Sequence, residues 1–146
     1  MQVRVNTSFA LCRKLVETAV ETFGRLDLLV LNAGVSAHFL FEDTKDMSIF
    51  RKMMDVNFFG YLYPTRLAFT LLYHYRYALP YLKKSHGQIL VMNSYSGEIG
   101  LMFRSAYCST KFAVSGLFES LRMEVGDQID ITIVCPITIE TDFRHH

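Results

Sequence analysis

Three polar side chains in the second half of the chain have the types and the spacing of a proton-transfer site. Tyr107 and Lys111 are four residues apart in an apolar-periodic segment, so they lie one turn from each other on one face of a predicted helix. Ser94 precedes Tyr107 by thirteen residues and follows the apolar run Ile89–Met92, which predicts a buried strand. A phenol beside an ammonium, downstream of a strand-end serine, is a set of groups that can donate a proton to a carbonyl oxygen.

These side chains need helices and strands to bring them together, and the hydrophobic pattern predicts alternating elements. Apolar residues at helical spacing over residues 8–24, between a capping Ser8 and a terminating Gly24, predict a first helix. The other predicted elements are a strand at Leu28–Leu31, a helix from Ser48 that carries Asn57, a strand at Gln88–Asn93, a helix at Tyr107–Val125 and a strand at Ile129–Cys135. This alternation is typical of an α/β fold with a parallel sheet whose strands are covered on both faces.

A polar turn follows each predicted strand. Asn32-Ala33-Gly34 follows the first strand, Asn93-Ser94 follows the second, and a segment beginning at Pro136 follows the third. Parallel α/β sheets bind ligands in the crevice outside the carboxyl ends of their strands. The three turns therefore predict a ligand site at one edge of the sheet.

In these residues the chain resembles the short-chain dehydrogenase/reductase family, of the hydroxysteroid-dehydrogenase-like kind. The shared motifs are Asn32-Ala33-Gly34 after a strand, Asn57 within DVNFFG, Ser94 after VMN, Tyr107-x-x-x-Lys111, and a Pro136-to-Thr141 segment similar to the family's Pro-Gly-x-Ile-x-Thr. Each motif alone is weak, whereas five in order are specific. The resemblance implies one Rossmann-like, doubly wound parallel-sheet domain over residues 1–146, incomplete because the family's first βαβ unit is missing.

The resemblance also implies an NAD(P)-dependent oxidoreductase that interconverts an alcohol and a ketone by hydride transfer, with steroid or lipid-like compounds as one substrate class. Tyr107 would be the general acid/base, Ser94 would hydrogen-bond the reacting carbonyl, and Asn57 would hold a water in the proton relay. A tyrosine pKa of about 10 is too high for this work at neutral pH. We expect the charge of Lys111 to lower the pKa of Tyr107.

A nicotinamide cofactor, NAD or NADP, follows from the same resemblance. Lys111 would hold the nicotinamide ribose, and the Asn32-Ala33-Gly34 turn would lie beside the adenosine half. The implied cofactor-binding residues are Asn32, Ala33, Gly34, Tyr107, Lys111, Pro136, Ile139 and Thr141. The implied partners are a small-molecule alcohol or ketone and a second copy of the chain, packed through the helices that carry Asn57 and Tyr107.

The chain departs from the family pattern at three places. It has no G-x-x-x-G-x-G turn to hold the pyrophosphate, so cofactor binding is expected to be weakened or lost. Residues 67–76 are an insertion that is expected to be looped out or to disrupt its helix, and thereby the dimer contact; Pro64 is expected to kink or break that helix. Ile137 replaces a family glycine.

These departures lead to an alternative function and to a prediction about stability. The alternative is a truncated or splice-variant fragment without catalysis that acts as an interaction or regulatory subunit. Without the first βαβ unit, one edge or face of the parallel sheet should be uncovered. We therefore expect marginal solubility or association through that surface.

Composition excludes several other classes of protein. A net charge of +1 leaves no basic stripe for nucleic acid. Cys12, Cys108 and Cys135 have neither CxxC nor metal-site spacing, so they are expected to be free thiols in a reducing compartment. No apolar run approaches the ~18–20 residues of a membrane helix, and the N-terminus lacks a signal-peptide layout. An intracellular, cytoplasmic protein is the default expectation, with membrane association if a missing N-terminal region carries an anchor.

Overall fold

A computed structural model describes residues 8–70 and 81–137 of the chain. Its helices and strands are α1 (Phe9–Phe23), β1 (Leu28–Leu31), α2 (Ser48–Met54), α3 (Gly60–Thr70), α4 (Tyr81–Ser85), β2 (Gln88–Met92), α5 (Ser105–Val125) and β3 (Asp130–Val134). Each helix and strand whose two ends were predicted is present, with bounds that differ by at most two residues. Short 3₁₀ turns lie at Phe41–Asp43, inside the stretch between β1 and α2, and at Tyr95–Gly97, after β2.

The three strands form a parallel sheet in the order β1-β2-β3. Leu29, Ile89 and Ile131 are in register across the sheet, and Val30 and Thr132 belong to the next row. Residues in register point to the same face, so successive rows alternate between the two faces. The first row is buried, whereas Val30 is 50% exposed. The prediction that the strands are covered on both faces is therefore wrong for β1 in the described part of the chain.

The covered face of the sheet is packed beneath α3 and α5. Ile89 and Val91 of β2, Val114 and Phe118 of α5, and Tyr61 of α3 are almost completely buried, and they belong to one hydrophobic cluster. Burial of each large apolar side chain contributes about 1.5–3 kcal/mol relative to exposure. This cluster holds α5, whose first turns carry the predicted site residues, against the carboxyl half of the sheet.

Helix α1 packs against α3 through a narrower stripe than the periodicity predicts. Its end is as predicted, because Gly24 takes a left-handed conformation with φ of 72°. Leu11 and Leu15, two of the apolar residues at helical spacing within 8–24, remain 48% and 41% exposed, whereas the neighbouring Cys12 and Val16 are buried. Only one edge of the apolar stripe therefore contacts the described elements, and the remainder faces away from them.

A π turn at Asp55–Phe59 joins α2 to α3 and carries Asn57. Pro64 lies inside α3, which continues to Thr70, so of the predicted kink or break, the break does not occur. A proline ring opposes the carbonyl of the residue four positions earlier, here Gly60, which directly follows the π turn.

Some predictions fall on residues outside the described ranges. Of the insertion, residues 67–70 continue α3, and residues 71–76 lie outside the described ranges, as do Ile139 and Thr141.

The thiols of Cys12 and Cys108 are buried and free, and that of Cys135 is half-buried and free. Among the helices described, none combines the length and the apolarity needed to cross a membrane.

Candidate active site

The loops that follow the three strands meet at one edge of the sheet. The main-chain N–H of Asn93 donates to the carbonyl of Val134 at 2.9 Å, and that of Tyr95 donates to the carbonyl of Pro136 at 3.1 Å. The loop 32–34 follows β1, which is hydrogen-bonded to β2 on the other side. The predicted meeting of the β2 and β3 turns is confirmed by these hydrogen bonds, and the β1 turn lies along the same edge.

Ser94 and Tyr107 lie near each other at this edge. The Ser94 side chain is close enough to the phenol of Tyr107 to lower its pKa, and the two residues are only 8% and 6% exposed. The Ser94 hydroxyl oxygen accepts the main-chain N–H of Ser96 at 3.1 Å, where the 3₁₀ turn begins. This bond fixes the serine hydroxyl beside the phenol. The structure thus brings together two of the predicted site residues.

Burial determines the ionisation of Tyr107. It raises the pKa of the phenol above its ordinary value of 10.0, and it outweighs the opposite effects of the Ser94 side chain and the Arg104 charge. The guanidinium carbon of Arg104 lies 5.6 Å from the centroid of the Tyr107 ring. The prediction that Lys111 lowers the pKa of Tyr107 is wrong here, because the net direction is upward and the opposing charge belongs to Arg104. Tyr107 is therefore a protonated phenol at neutral pH.

Lys111 lies one turn further along α5 and is also buried, with 3% of its surface exposed. Its Nζ donates to the carbonyl oxygen of Met92 at 2.9 Å and lies 5.8 Å from the Tyr107 ring centroid. Burial lowers the pKa of Lys111 to about 8, and the nearby Cys135 thiol acts in the opposite direction. An ammonium has three N–H donors, so the bond to Met92 leaves two with which Lys111 can bind a hydroxylated ligand.

Asn57 is completely buried and joins the loop after β1 to α5. Its Nδ2 group donates to the carbonyl of Val35 and to the hydroxyl of Thr110, both at 2.9 Å, and its Oδ1 accepts the main-chain N–H of Val35 at 2.8 Å. Both amide hydrogens are thereby used. Thr110 lies directly before Lys111, so this network fixes the turn of α5 that carries the lysine.

The predicted cofactor residues lie at the same edge where they are described. Asn32 is exposed, and Ala33, Gly34 and Pro136 are half-buried. Within residues 8–70 and 81–137, no group of three or more His, Cys, Asp or Glu side chains is arranged to hold a metal ion.

Sequence reasoning missed four side chains around the site. Arg104 is three residues before Tyr107, a helical spacing that could have indicated its contact with the ring. Glu98 and Cys135 come from different loops, and their 3.4 Å hydrogen bond has no signal in the sequence. Tyr61 lies in an aromatic-rich helix, where nothing distinguishes it from an ordinary core residue.

Comparisons with known proteins agree with the motifs. A family model described as short chain dehydrogenase matches residues 1–146. The 11-beta-hydroxysteroid dehydrogenase A of Arachis hypogaea is 44% identical over 131 residues, which cover 90% of this chain and 35% of that protein. A dehydrogenase/reductase SDR family protein 7-like of Dictyostelium discoideum is 38% identical over 134 residues, 91% of this chain and 39% of that protein.

Solved structures share the fold. The structure of ElxO with NADP bound superposes with a TM-score of 0.83 at 31% identity, covering 97% of this chain and 54% of that one. A Burkholderia phymatum short chain dehydrogenase/reductase in complex with NAD has the same TM-score at 23% identity, which shows the fold alone. The chain thus spans a little over a third of the length of the curated relatives it matches and about half of these structures.

Proposed function

Since this chain belongs to the short chain dehydrogenase family, we propose that it interconverts an alcohol and a ketone with NAD or NADP as the cofactor. The observation that carries the proposal is the joint burial of Ser94, Tyr107 and Lys111 at one end of the sheet, with the Lys111 ammonium 5.8 Å from the Tyr107 ring centroid. These groups lie at the carboxyl ends of parallel strands, where α/β folds bind their ligands.

Tyr107 acts as the proton donor in the direction of carbonyl reduction. Its raised pKa keeps the phenol protonated at neutral pH, so its O–H can donate to the carbonyl oxygen as negative charge develops there. When a carbonyl binds, the single O–H of Ser94 turns from the phenol and donates a second hydrogen bond to the same carbonyl oxygen. The hydride that completes the C–H bond would come from a reduced nicotinamide bound beside Lys111. In the direction of oxidation Tyr107 must first lose its proton, so oxidation is favoured at higher pH.

Asn57 and Lys111 support this chemistry by positioning α5 and by binding the cofactor. Both amide hydrogens of Asn57 are used by Val35 and Thr110. A relay water could therefore donate only to the side-chain Oδ1 or to the main-chain carbonyl oxygen of Asn57. We assign Asn57 chiefly to positioning, since it ties α5 to the loop after β1. The two remaining N–H donors of Lys111 suit the hydroxyl groups of a nicotinamide ribose.

Apolar side chains around the site favour a large apolar substrate. Met102 and Phe103, between β2 and α5, are 77% and 47% exposed, and Phe41, after β1, is 62% exposed. The two loops are joined by a hydrogen bond from the Phe39 N–H to the Phe103 carbonyl at 3.0 Å. Phe39 also packs against the cluster that contains Tyr107. A steroid or lipid-like ketone fits this rim, in line with the hydroxysteroid dehydrogenase names of the relatives.

A second candidate function is that of an interaction or regulatory subunit without catalysis. The half-exposed apolar residues Leu28 and Val30 on one face of the sheet favour it, since large exposed apolar patches mark interaction surfaces. Pull-down with a longer family member from the same organism tests this alternative. Recovery of that relative together with undetectable cofactor binding would support it over catalysis.

Cofactor binding is tested by titrating the purified chain with NADPH and NADH while following nicotinamide fluorescence. We expect binding that is weakened by the missing glycine-rich turn but saturates below millimolar cofactor, and at least a tenfold further loss of affinity in Lys111→Ala. Because the pKa of Lys111 is about 8, affinity should fall as the pH rises between about 7 and about 10. Lys111→Arg is the matched control: arginine stays charged throughout this range, so its affinity should not change with pH.

Catalysis is tested with Tyr107→Phe, which keeps the ring and removes only the hydroxyl. A lost general acid typically lowers the rate by about 10²–10⁴-fold, so carbonyl reduction should fall by that factor while NADPH affinity stays within about twofold. A panel of aliphatic, aromatic and steroidal ketones, followed by nicotinamide absorbance, provides the measurement. No turnover by the wild-type chain, or no cofactor binding up to millimolar concentration from a folded sample, contradicts the proposal.

A further inference from the structure

The ammonium of Lys111 is enclosed by two aromatic rings and a carbonyl. Its Nζ lies 5.3 Å from the centroid of the Tyr61 ring and 5.8 Å from that of Tyr107, and it donates to the Met92 oxygen at 2.9 Å. Both distances are within the roughly 6 Å over which a cation is attracted to the face of a ring. Tyr107 already has a role in the proposed chemistry, whereas Tyr61 has none.

Tyr61 is held in place by the same carbonyl that holds the lysine. It is 1% exposed, and its hydroxyl donates to the Met92 oxygen at 3.0 Å. Tyr61 comes from α3, Lys111 from α5 and Met92 from the end of β2, so three elements converge on one oxygen atom. This shared acceptor fixes the tyrosine ring beside the ammonium.

A buried cation needs such compensation. Removing an ammonium from water disfavours its charged form, and in this site burial lowers the pKa of Lys111 to about 8. The titratable groups around it are the phenols of Tyr61 and Tyr107 and the thiol of Cys135, which is itself hydrogen-bonded to Glu98. Of these, Tyr61 is the ring whose centroid is nearer to the ammonium.

We propose that Tyr61 is a positioning residue whose ring keeps Lys111 protonated and directed toward the ligand at the edge of the sheet. This inference rests on the proposed function, because a protonated Lys111 matters there for binding the cofactor. The interaction itself exists in the free chain and can be measured without cofactor, so its failure and the failure of the proposed function are distinguishable.

The test changes the electrostatics of the ring at nearly constant shape. Tyr61→Phe is compared with Tyr61→3,4,5-trifluorophenylalanine, in which fluorine withdraws electron density from the ring face and weakens its attraction for a cation. The ¹³Cε chemical shift of Lys111 in ¹³C-lysine-labelled protein reports its protonation, and Lys111→Arg assigns the signal. Tyr63→Leu is the matched control, since Tyr63 lies two residues away on α3 and stacks on Phe59 and Phe9 instead.

We expect the titration midpoint of Lys111 in Tyr61→Phe to lie within about 0.3 pH units of the wild-type midpoint, because the ring remains. In the trifluorinated variant, the titration midpoint of Lys111 should lie about one pH unit below that in Tyr61→Phe. This shift is a tenfold loss of the proton affinity of Lys111. NADPH affinity at pH 8 should fall with it, by roughly three- to tenfold. Tyr63→Leu should change neither quantity.

An unchanged Lys111 midpoint in the folded trifluorinated variant would overturn the inference and leave Tyr61 as a core residue. A shifted midpoint in a chain that binds no nicotinamide would support the role of the ring while contradicting the proposed function. A Tyr63→Leu shift as large as that of the trifluorinated variant would also overturn it, because general loosening of α3 would then explain both.

Discussion

The two faces of the sheet are built from the same kinds of residue and differ in what packs on them. On one face, Leu31 of β1 is 4% exposed and packs in the cluster formed with α3 and α5. On the other face, Leu28 of the same strand is 49% exposed. Both are leucines in one four-residue strand. The difference therefore comes from the surroundings of each side chain and not from its chemistry.

The candidate site belongs entirely to the covered face. Tyr107 and Lys111 lie on the helix that covers it, and Ser94 follows the central strand. The polar contacts at the site join α3 and α5 to the ends of β2 and β3, and Asn57 joins α5 to the loop after β1. The proton-transfer groups are therefore positioned by packing on the covered face and by the loops at the carboxyl ends of the strands.

Truncating a leucine on each face tests whether the two faces differ in packing. Leu31→Ala should lower the free energy of unfolding by about 2–5 kcal/mol, because it removes buried methyl groups and leaves a cavity. Leu28→Ala should lower it by less than about 1 kcal/mol, because half of that side chain is already exposed to water. Urea unfolding followed by circular dichroism measures both.

Equal losses of unfolding free energy in the two variants would show that the open face is covered in solution. The two faces would then not differ in packing. A change in the denaturant slope, as opposed to the midpoint, would indicate that a variant has altered the compactness of the native or the denatured state. Only midpoint shifts at constant slope bear on the two faces.

The order of elements could be predicted from the sequence because its signals are local. The runs at Leu28–Leu31 and Gln88–Asn93 are continuous and apolar, and polar turns end them, so type and bounds follow directly. The site followed from these elements, since parallel strands place their carboxyl ends together. The spacing of Tyr107 and Lys111 predicted their shared helix face, and both are buried there.

The remaining features depend on contacts between distant segments. A continuous apolar strand has the same sequence whether one or two faces are covered, so the strand pattern does not reveal the exposure of Val30. The comparison with the family pattern predicted an uncovered edge or face, but not which residues would lie on it. The direction of the Tyr107 pKa depends on how deeply the phenol is buried, which spacing does not contain. The contact of Tyr61 with Lys111 joins residues fifty positions apart.

A second prediction concerns the charge buried on the covered side. Lys111→Met should raise the free energy of unfolding by about 1–2 kcal/mol at pH 7 and abolish the lysine-dependent part of cofactor binding. A fall in pKa from 10.5 to about 8 corresponds to a penalty of roughly 3 kcal/mol for the charged form, and the lost bond to Met92 offsets part of the gain. Thermal unfolding should show a midpoint higher by a few degrees.

The pH dependence gives this prediction a definite sign. Below about pH 8 the lysine is protonated in both states and the full penalty applies. Between about 8 and 10.5 the unfolded chain binds a proton that the native chain releases, so the wild type should become more stable as the pH rises. Lys111→Met should lack this rise. Lys52→Met is the control, because the Lys52 side chain is 69% exposed, and a gain of similar size there would contradict the explanation.

The smallest effect on stability is expected from making the open face polar. Leu28→Thr combined with Val30→Thr replaces two half-exposed apolar side chains by residues that retain strand propensity. The free energy of unfolding should change by less than about 1 kcal/mol, while self-association, measured by sedimentation velocity over a range of concentrations, should decrease. The cause is the smaller apolar surface, since exposed apolar patches on a sheet promote association between chains.

Three outcomes of this experiment would distinguish the role of the open face. Reduced association with unchanged NADPH affinity would show that the open face governs solubility and leaves the site untouched, as the one-sided packing requires. A wild-type chain that is already monodisperse at high concentration would refute the prediction of association through this face. Reduced NADPH affinity in the double threonine variant would mean that the open face supports the site through β1, since Leu31 and the loop 32–34 continue directly from the altered residues.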